Sequence, residues 1–157
     1  MRIVLQRCLD ASVAVDDQIV GEIKHGLVAL IGVGQGDNEN VADTMAAKVH
    51  QLRIFNDDHN KMNQSVMDIG GDVLAISQFT LLADCKKGRR PAFTAAADPV
   101  KAKQLYERVV DQLRLTGMSV PTGIFAADMK VRLTNDGPVT IVLDSSELTG
   151  NQNRSSG

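Results

Sequence analysis

Residues 27–33, "LVALIGV", carry no polar side chain, and the glycine-rich stretch "GVGQGD" begins within their end. A strand with one wet face alternates apolar and polar residues; one without alternation is covered on both faces. This segment therefore predicts a central strand. It requires material packed above and below it, which means at least two layers around one core. The 157 residues suffice for one such domain.

The flanking segments supply the layers. "RIVLQRC", "ASVAVDD" and "QIVGEIKHG" read as strands, the first two separated by a polar break. A helix is predicted from about Asn38 to Arg53, because Val41, Met45, Val49 and Leu52 recur on one face and Asp37 or Asn38 can cap its first turn. "FNDDHNKMNQSVMDIGG" reads as a long loop holding a short strand. Residues 72–84, "DVLAISQFTLLAD", follow as a strand with a buried run from Val73 to Ile76. A second helix is predicted from Asp98 to Leu115, with Val100, Leu105, Val109 and Leu113 on one face, Asp98-Pro99 at its start and Gly117 past its end. "MSVPTGIFAAD", "MKVRLT" and "VTIVLD" read as further strands. The expected fold is α+β (mixed α/β): one domain over residues 1–145 with largely antiparallel strands and two main helices. The polar residues 146–157 lack an apolar pattern and read as a disordered tail.

Composition excludes several classes. Net charge is −2, so general affinity for a phosphate backbone is not indicated, and the basic run "KKGRR" is the one local exception. Aromatic residues are 3% with no Trp, too few for a broad base-stacking platform. Cys8 and Cys85 show no paired metal or redox spacing and read as free thiols of a reducing compartment. The early charges in "MRIVLQRCLD" do not suit a signal peptide, and no apolar run approaches the about 20 residues of a membrane span. A cytoplasmic protein without membrane contact, metal or cofactor is expected.

Five motifs remain as candidate sites. "GVGQGD" sits where a phosphate loop would, between strand and helix, but lacks the G-x-G-x-x-G spacing and a following Lys-Ser/Thr; a glycine turn is the default. His25, His50 and His59 have no ligand spacing. "SQFTL", Ser77 to Leu81, ends a buried strand in polar groups; as a continuing strand it puts Gln78 and Thr80 on one face and Ser77 and Phe79 on the other. Such groups serve a ligand or merely satisfy nearby backbone, and no base adjoins Thr80. "KKGRRPAF" is a solvated charge run or a shaped phosphate-contacting loop. "NDGPVT", residues 135–140, puts Gly137-Pro138 between two apolar runs and reads locally as a hairpin turn.

Taken in order, "MRIVLQRC", "GLVALIGV", "LRIF", "KMNQSV", "SQFTL", "KKGRRPAF", "TGIFAADM" and "NDGPVT" resemble the D-aminoacyl-tRNA deacylase (D-Tyr-tRNA deacylase) family over about residues 1–145. The resemblance implies a compact homodimer with barrel-like β layers and two active sites at the subunit interface. It implies hydrolysis of the ester between a D-amino acid, or mischarged glycine, and the tRNA 3′-terminal ribose. It places the reaction at Ser77, Gln78, Phe79 and Thr80. A Gly137-cis-Pro138 pair, followed by Val139 and Thr140, reaches into the partner's site and rejects L side chains with main-chain atoms; Arg7 and Met129 hold the pair. Lys86, Lys87, Arg89, Arg90 and Phe93 contact tRNA. Thr80 acts as nucleophile, or the tRNA 2′-hydroxyl assists a water while protein groups of the Gln78, Phe79 and Thr80 site only position and stabilise, with backbone N–H groups around Phe79 and Thr80 meeting the oxyanion. Leu82 and Ala92 depart from the commonest family pattern, where an aromatic and a serine stand. The competing readings are a non-catalytic dimeric module for aminoacyl-tRNA or a metabolite, and an esterase using Thr80.

Overall fold

The structure, a computed structural model, describes residues 1–149. The strands are β1 (Arg2–Val15), β2 (Gln18–Ile23), β3 (Gly26–Gly32), β4 (Phe55–Asn56), β5 (Met62–Gln64), β6 (Asp72–Ser77) and β7 (Lys130–Asp144). The helices are α1 (Glu39–Gln51), α2 (Pro99–Arg114) and α3 (Ser145–Thr149), with a 3₁₀ turn at Phe79–Leu82. The fold is α+β, and its five-stranded sheet curls into a half-barrel. Strand order is β2-β1-β3-β6, with β7 pairing the other edge of β1.

The apolar run is the central strand β3, antiparallel to β1 and parallel to β6. One face meets the helices: Leu27, Ala29 and Ile31 join Met45 and Val49 of α1 and Leu105, Val109 and Leu113 of α2. Val28, on the other face, packs with Leu74, Ile76, Cys8, Ala11 and Val13. The distal half of β1 thus folds over the second face, which is why a strand covered on both sides occurs in a mainly antiparallel sheet. The β3–β6 pair is parallel because α1 and the loop after it form the crossover between them.

Both helices lie close to expectation. Asn38, not Asp37, caps α1 by accepting from Val41 N at 3.0 Å. Asp98 caps α2, with Pro99 at its first position. Asp37 is buried and accepts from Gly34 N at 2.6 Å and from the Met1 amine at 2.5 Å. A carboxylate already occupies the glycine-rich turn, so an anionic phosphate is not at home there.

Four readings are corrected. "RIVLQRC" and "ASVAVDD" form the single strand β1; Leu9 and Asp10 face outward where it bends, with register shifts on either side of Cys8. "MSVPTGIFAAD" forms no named strand. It runs raggedly along β6, with Val73 N bonded to Ser119 O and Ala75 N to Pro121 O, and covers that edge. "NDGPVT" is not a hairpin turn: both flanks pair with the same β1, so the chain never reverses and β7 is continuous. Finally, Ser145–Thr149 form a short helix with Leu148 against the core, where the polar tail was expected to begin at 146. Residues 150–157 of that tail lie outside the described residues.

Candidate functional site

Strand β6 ends at Ser77, the last residue paired with β3, opposite Ile31. Gln78 N still donates to Ile31 O at 2.8 Å, and the chain then winds into the 3₁₀ turn. The strand-face assignment of Gln78 and Thr80 is therefore replaced by a tight turn, whose cause lies in its neighbours. Gly32 leaves room for the turn to pack: a Cβ there would stand 2.9 Å from Gln78 O and 2.5 Å from Leu82 Cδ2. Arg2 Nη1 holds Leu81 O at 2.8 Å from the other side. Arg2 is itself fixed by Asp144; burial opposes ionisation of that carboxyl, but hydrogen bonds from Ser146 and Arg2 outweigh it and bring its pKa down to about 2.

The turn places Thr80 in solvent with its hydroxyl accepting from the Gln78 amide. A primary amide is not a base, so this contact does not activate Thr80 as a nucleophile. The N–H groups of Phe79 and Thr80 open the turn and have no carbonyl within it to bond. They precede the bonded N–H groups of Leu81 and Ala83, and the Thr80 side chain is exposed.

Phe79 is 57% exposed and Phe93 37%, and their rings meet edge to face at 5.0 Å between centroids. Between them in sequence, residues 84–92 form a closed loop: Asp84 and Ala92 exchange two backbone hydrogen bonds, and Asp84 also accepts from Lys86 N. Gly88 turns the tip with φ +69°. Lys86, Lys87, Arg89 and Arg90 are all exposed on this hairpin. Basic loop, aromatic pair and 3₁₀ turn thus make one continuous surface.

The second motif lies elsewhere on the sheet. Asp136–Val139 bulge out of β7 opposite Arg7, between the register runs ending at Cys8–Asn135 and Gln6–Thr140. The Gly137-Pro138 bond is cis and Gly137 has φ +131°. A bulge is where a sheet tolerates a residue without an N–H. Gly137 and Pro138 are exposed, Val139 is buried in the core, and the Thr140 hydroxyl donates to Gln6 Oε1. Arg7 is buried behind them: Nε donates to Asp136 O at 3.0 Å and Nη1 to Ile54 O at 2.7 Å. Met129 does not join this cluster within the chain; it packs with the second core group, near Gly123 and Ile76.

Sequence reasoning weighed His25 only as a ligand and Gly32 only as part of a phosphate turn, and gave Asp136, Phe55 and Arg2 no role. Arg2, Phe55 and Asp136 fall in the quoted segments "MRIVLQRC", "LRIF" and "NDGPVT", but no spacing rule joins residues so far apart in the chain. The other groups offer little chemistry. Burial and Asp10 push the Cys8 thiol up to about 11, so it stays protonated. Burial pushes the Tyr106 phenol up to about 12, leaving it a fixed donor to Ala75 O at 2.9 Å. Among the described residues no group of three or more metal-ligating side chains is gathered, and no helix is long and apolar enough to cross a membrane.

The family model described as D-Tyr-tRNA(Tyr) deacylase matches residues 4–144. The chain belongs to that family. It is 66% identical over 144 residues to the D-aminoacyl-tRNA deacylase of Rhodopirellula baltica, covering 92% of this chain and 99% of the relative. It is 55% identical to the D-aminoacyl-tRNA deacylase of Thermotoga petrophila, covering 94% and 99%. The enzymes so named are hydrolases acting on an ester bond. Among solved structures, the c-Myc DNA Unwinding Element Binding Protein superposes with a TM-score of 0.86 at 36% identity, covering 92% of this chain and 98% of that one. A probable eukaryotic D-amino acid tRNA deacylase superposes at 0.79 with 18% identity, covering 90% and 97%, which shows a shared fold.

Proposed function

We propose that this D-Tyr-tRNA(Tyr) deacylase family member hydrolyses the ester joining a D-amino acid, or glycine, to the 3′-terminal ribose of tRNA. The observation that carries this is the family match over residues 4–144, with the Ser77–Thr80 turn and the Gly137-Pro138 bulge both present and exposed at their ends. Selection by main-chain atoms around Gly137 and Pro138 accounts for the substrate range. A wall of backbone clashes with an L side chain whatever its chemistry, yet accepts any D side chain or a hydrogen.

The two motifs act together only between two copies. Ser77 lies level with Ile31 and Ile3, four residues along β1 from Arg7, and β6 is three strands from β7. Measured along the sheet, that is on the order of 20 Å. The second copy has a place to dock. Val4, Leu30 and Val142 lie opposite one another in register, and Val142 is 59% exposed. Among the described residues, strand β7, 15 residues long, pairs with β1 alone and leaves its outer edge open. A homodimer with a site at each interface is the assembly this reading requires.

In the reaction, the N–H groups of Phe79 and Thr80 receive the developing oxyanion. A water assisted by the tRNA 2′-hydroxyl attacks the ester carbon, and the ribose oxygen leaves. The assay compares D-Tyr-tRNA, L-Tyr-tRNA and Gly-tRNA: ester is expected to be lost from the first and third and kept in the second. No loss from any substrate would favour a binding module, and equal loss of D and L would sink chiral selection. In the same assay, Thr80→Ala is expected to keep single-turnover cleavage within about 3-fold. A tRNA ending in 2′-deoxyadenosine should react at least about 100-fold slower. A collapse with Thr80→Ala would restore the nucleophile reading.

The basic hairpin supplies the RNA contacts. Neutralising Lys86, Lys87, Arg89 and Arg90 together is expected to weaken tRNA binding and flatten the slope of log affinity against log salt by roughly 3, at about 0.7–0.9 per phosphate contact. Unchanged affinity and slope would remove the hairpin from the interface.

A further inference from the structure

Arg7 and His25 converge on Asp136, the residue immediately before Gly137. Arg7 Nε lies 3.0 Å from the Asp136 carbonyl and 3.3 Å from its carboxylate. His25 Nε2, from the turn between β2 and β3, stands 3.6 Å from the same carboxylate oxygen. One ring supports both. Phe55, fully buried, has the Arg7 guanidinium 5.9 Å above its centroid and the His25 ring edge-on at 5.3 Å. Arg7 is further tied to Ile54 O, so its reach toward Asp136 is set by the chain around Phe55. The Arg7 Nη2 atom would stand 3.1 Å from a Cβ on Gly137, so the guanidinium lies directly beside the bulge.

We propose that Asp136, gripped by Arg7 and His25 on the Phe55 ring, is a positioning residue that fixes the direction in which Gly137 and Pro138 face the substrate. This rests on the proposed chiral selection by those two residues. The two grips differ in weight. Arg7 is 8% exposed, so loss of Asp136 strands a buried cation. The His25 and Asp136 side chains are 48% and 31% exposed, and their separation exceeds a hydrogen bond, so His25 contributes less.

The test measures kcat and KM with D-Tyr-tRNA, and the D-over-L rate ratio, in wild type, Asp136→Asn, Asp136→Ala, His25→Ala and His25→Gln. Asp136→Ala is expected to lower kcat by about 30- to 100-fold and the D-over-L ratio by about 10-fold, with KM within about 2-fold, because misdirection of a positioned group costs rate rather than RNA contact. Both variants keep the backbone carbonyl that accepts from Arg7 Nε, but Asp136→Asn also keeps a side-chain amide oxygen that can accept from Arg7, and should lose less. His25→Ala should cost about 3- to 5-fold in kcat, and His25→Gln, which keeps a donor, should recover most of it. Hydrogen exchange at the Val139 and Thr140 amides reads the clamp without reference to activity: about 10-fold faster exchange is expected in Asp136→Asn and His25→Ala. Unchanged exchange, or an unchanged D-over-L ratio in both Asp136 variants of an active enzyme, overturns the clamp. Faster exchange in a protein whose wild type cleaves no D-Tyr-tRNA leaves the clamp standing and removes the deacylase reading instead.

Discussion

Gly137→Ala is expected to lower D-aminoacyl-tRNA deacylation by at least about 100-fold while the protein stays folded. Two independent costs meet at this position. Its φ of +131° lies where side chains are rarely accepted, at about 1–3 kcal/mol for a residue forced to remain there. A Cβ would also stand 2.8 Å from Val139 Cγ2, 3.0 Å from Val139 N and 3.1 Å from Arg7 Nη2. Val139 is anchored in the core and Arg7 is held at three points, so neither gives way freely. The bulge itself must move. For a chain of this length, about 1–3 kcal/mol corresponds to a melting temperature lower by several degrees, far short of unfolding. A shift of about 1 Å in a group facing the substrate costs about 100-fold in rate. Single-turnover kinetics beside a thermal melt separate the two effects. A Gly137→Ala enzyme with wild-type rate and wild-type preference for D over L would mean that the selecting wall is built elsewhere.

Much of the architecture was legible because it follows local rules. The unbroken apolar run 27–33 predicted a strand covered on both faces, and β3 is one. The stripes Val41–Leu52 and Val100–Leu113 predicted the two long helices to within about two residues of their ends. What local rules miss is continuity imposed by a partner. Leu9-Asp10 looks like a break between two strands, and Gly137-Pro138 looks like a turn. Each is the bend of one long strand, and the two bends lie opposite each other, so that β1 and β7 curl together. No residue pattern within either segment encodes that pairing.

The candidate site divides in the same way. "SQFTL" announced itself by polar groups ending a buried strand, but its turn depends on Gly32 and Arg2, which are distant in sequence. Phe79 and Phe93 were read as members of separate motifs, yet their rings touch. Asp136, His25 and Phe55 were invisible as a group, since a clamp made from three elements leaves no periodicity or spacing.

The turn that carries Thr80 is expected to be the second most sensitive point, through a residue that has no functional group at all. Gly32→Ala adds one carbon at the end of β3, where it would meet Leu82 Cδ2 at 2.5 Å, Gln78 O at 2.9 Å and Leu81 Cβ at 3.1 Å. The Leu82 methyl can rotate aside. The Gln78 carbonyl cannot, because it belongs to the peptide unit whose other end is the Phe79 N–H. Pushing that oxygen rotates the donor assigned to the oxyanion, and removal of such a donor costs about 100- to 1,000-fold in kcat elsewhere. A tilt is milder, so a loss of about 30- to 100-fold is expected, with about 1–3 kcal/mol of overpacking strain. Gly36→Ala is the matched control, since a Cβ there meets nothing within 4 Å. It should leave both rate and melting temperature unchanged. Equal losses in the two variants would trace the effect to stiffening of the glycine-rich segment rather than to displacement of the turn. A Gly32→Ala enzyme that is destabilised yet turns over at the wild-type rate would show that the Phe79 N–H is not the group that meets the oxyanion.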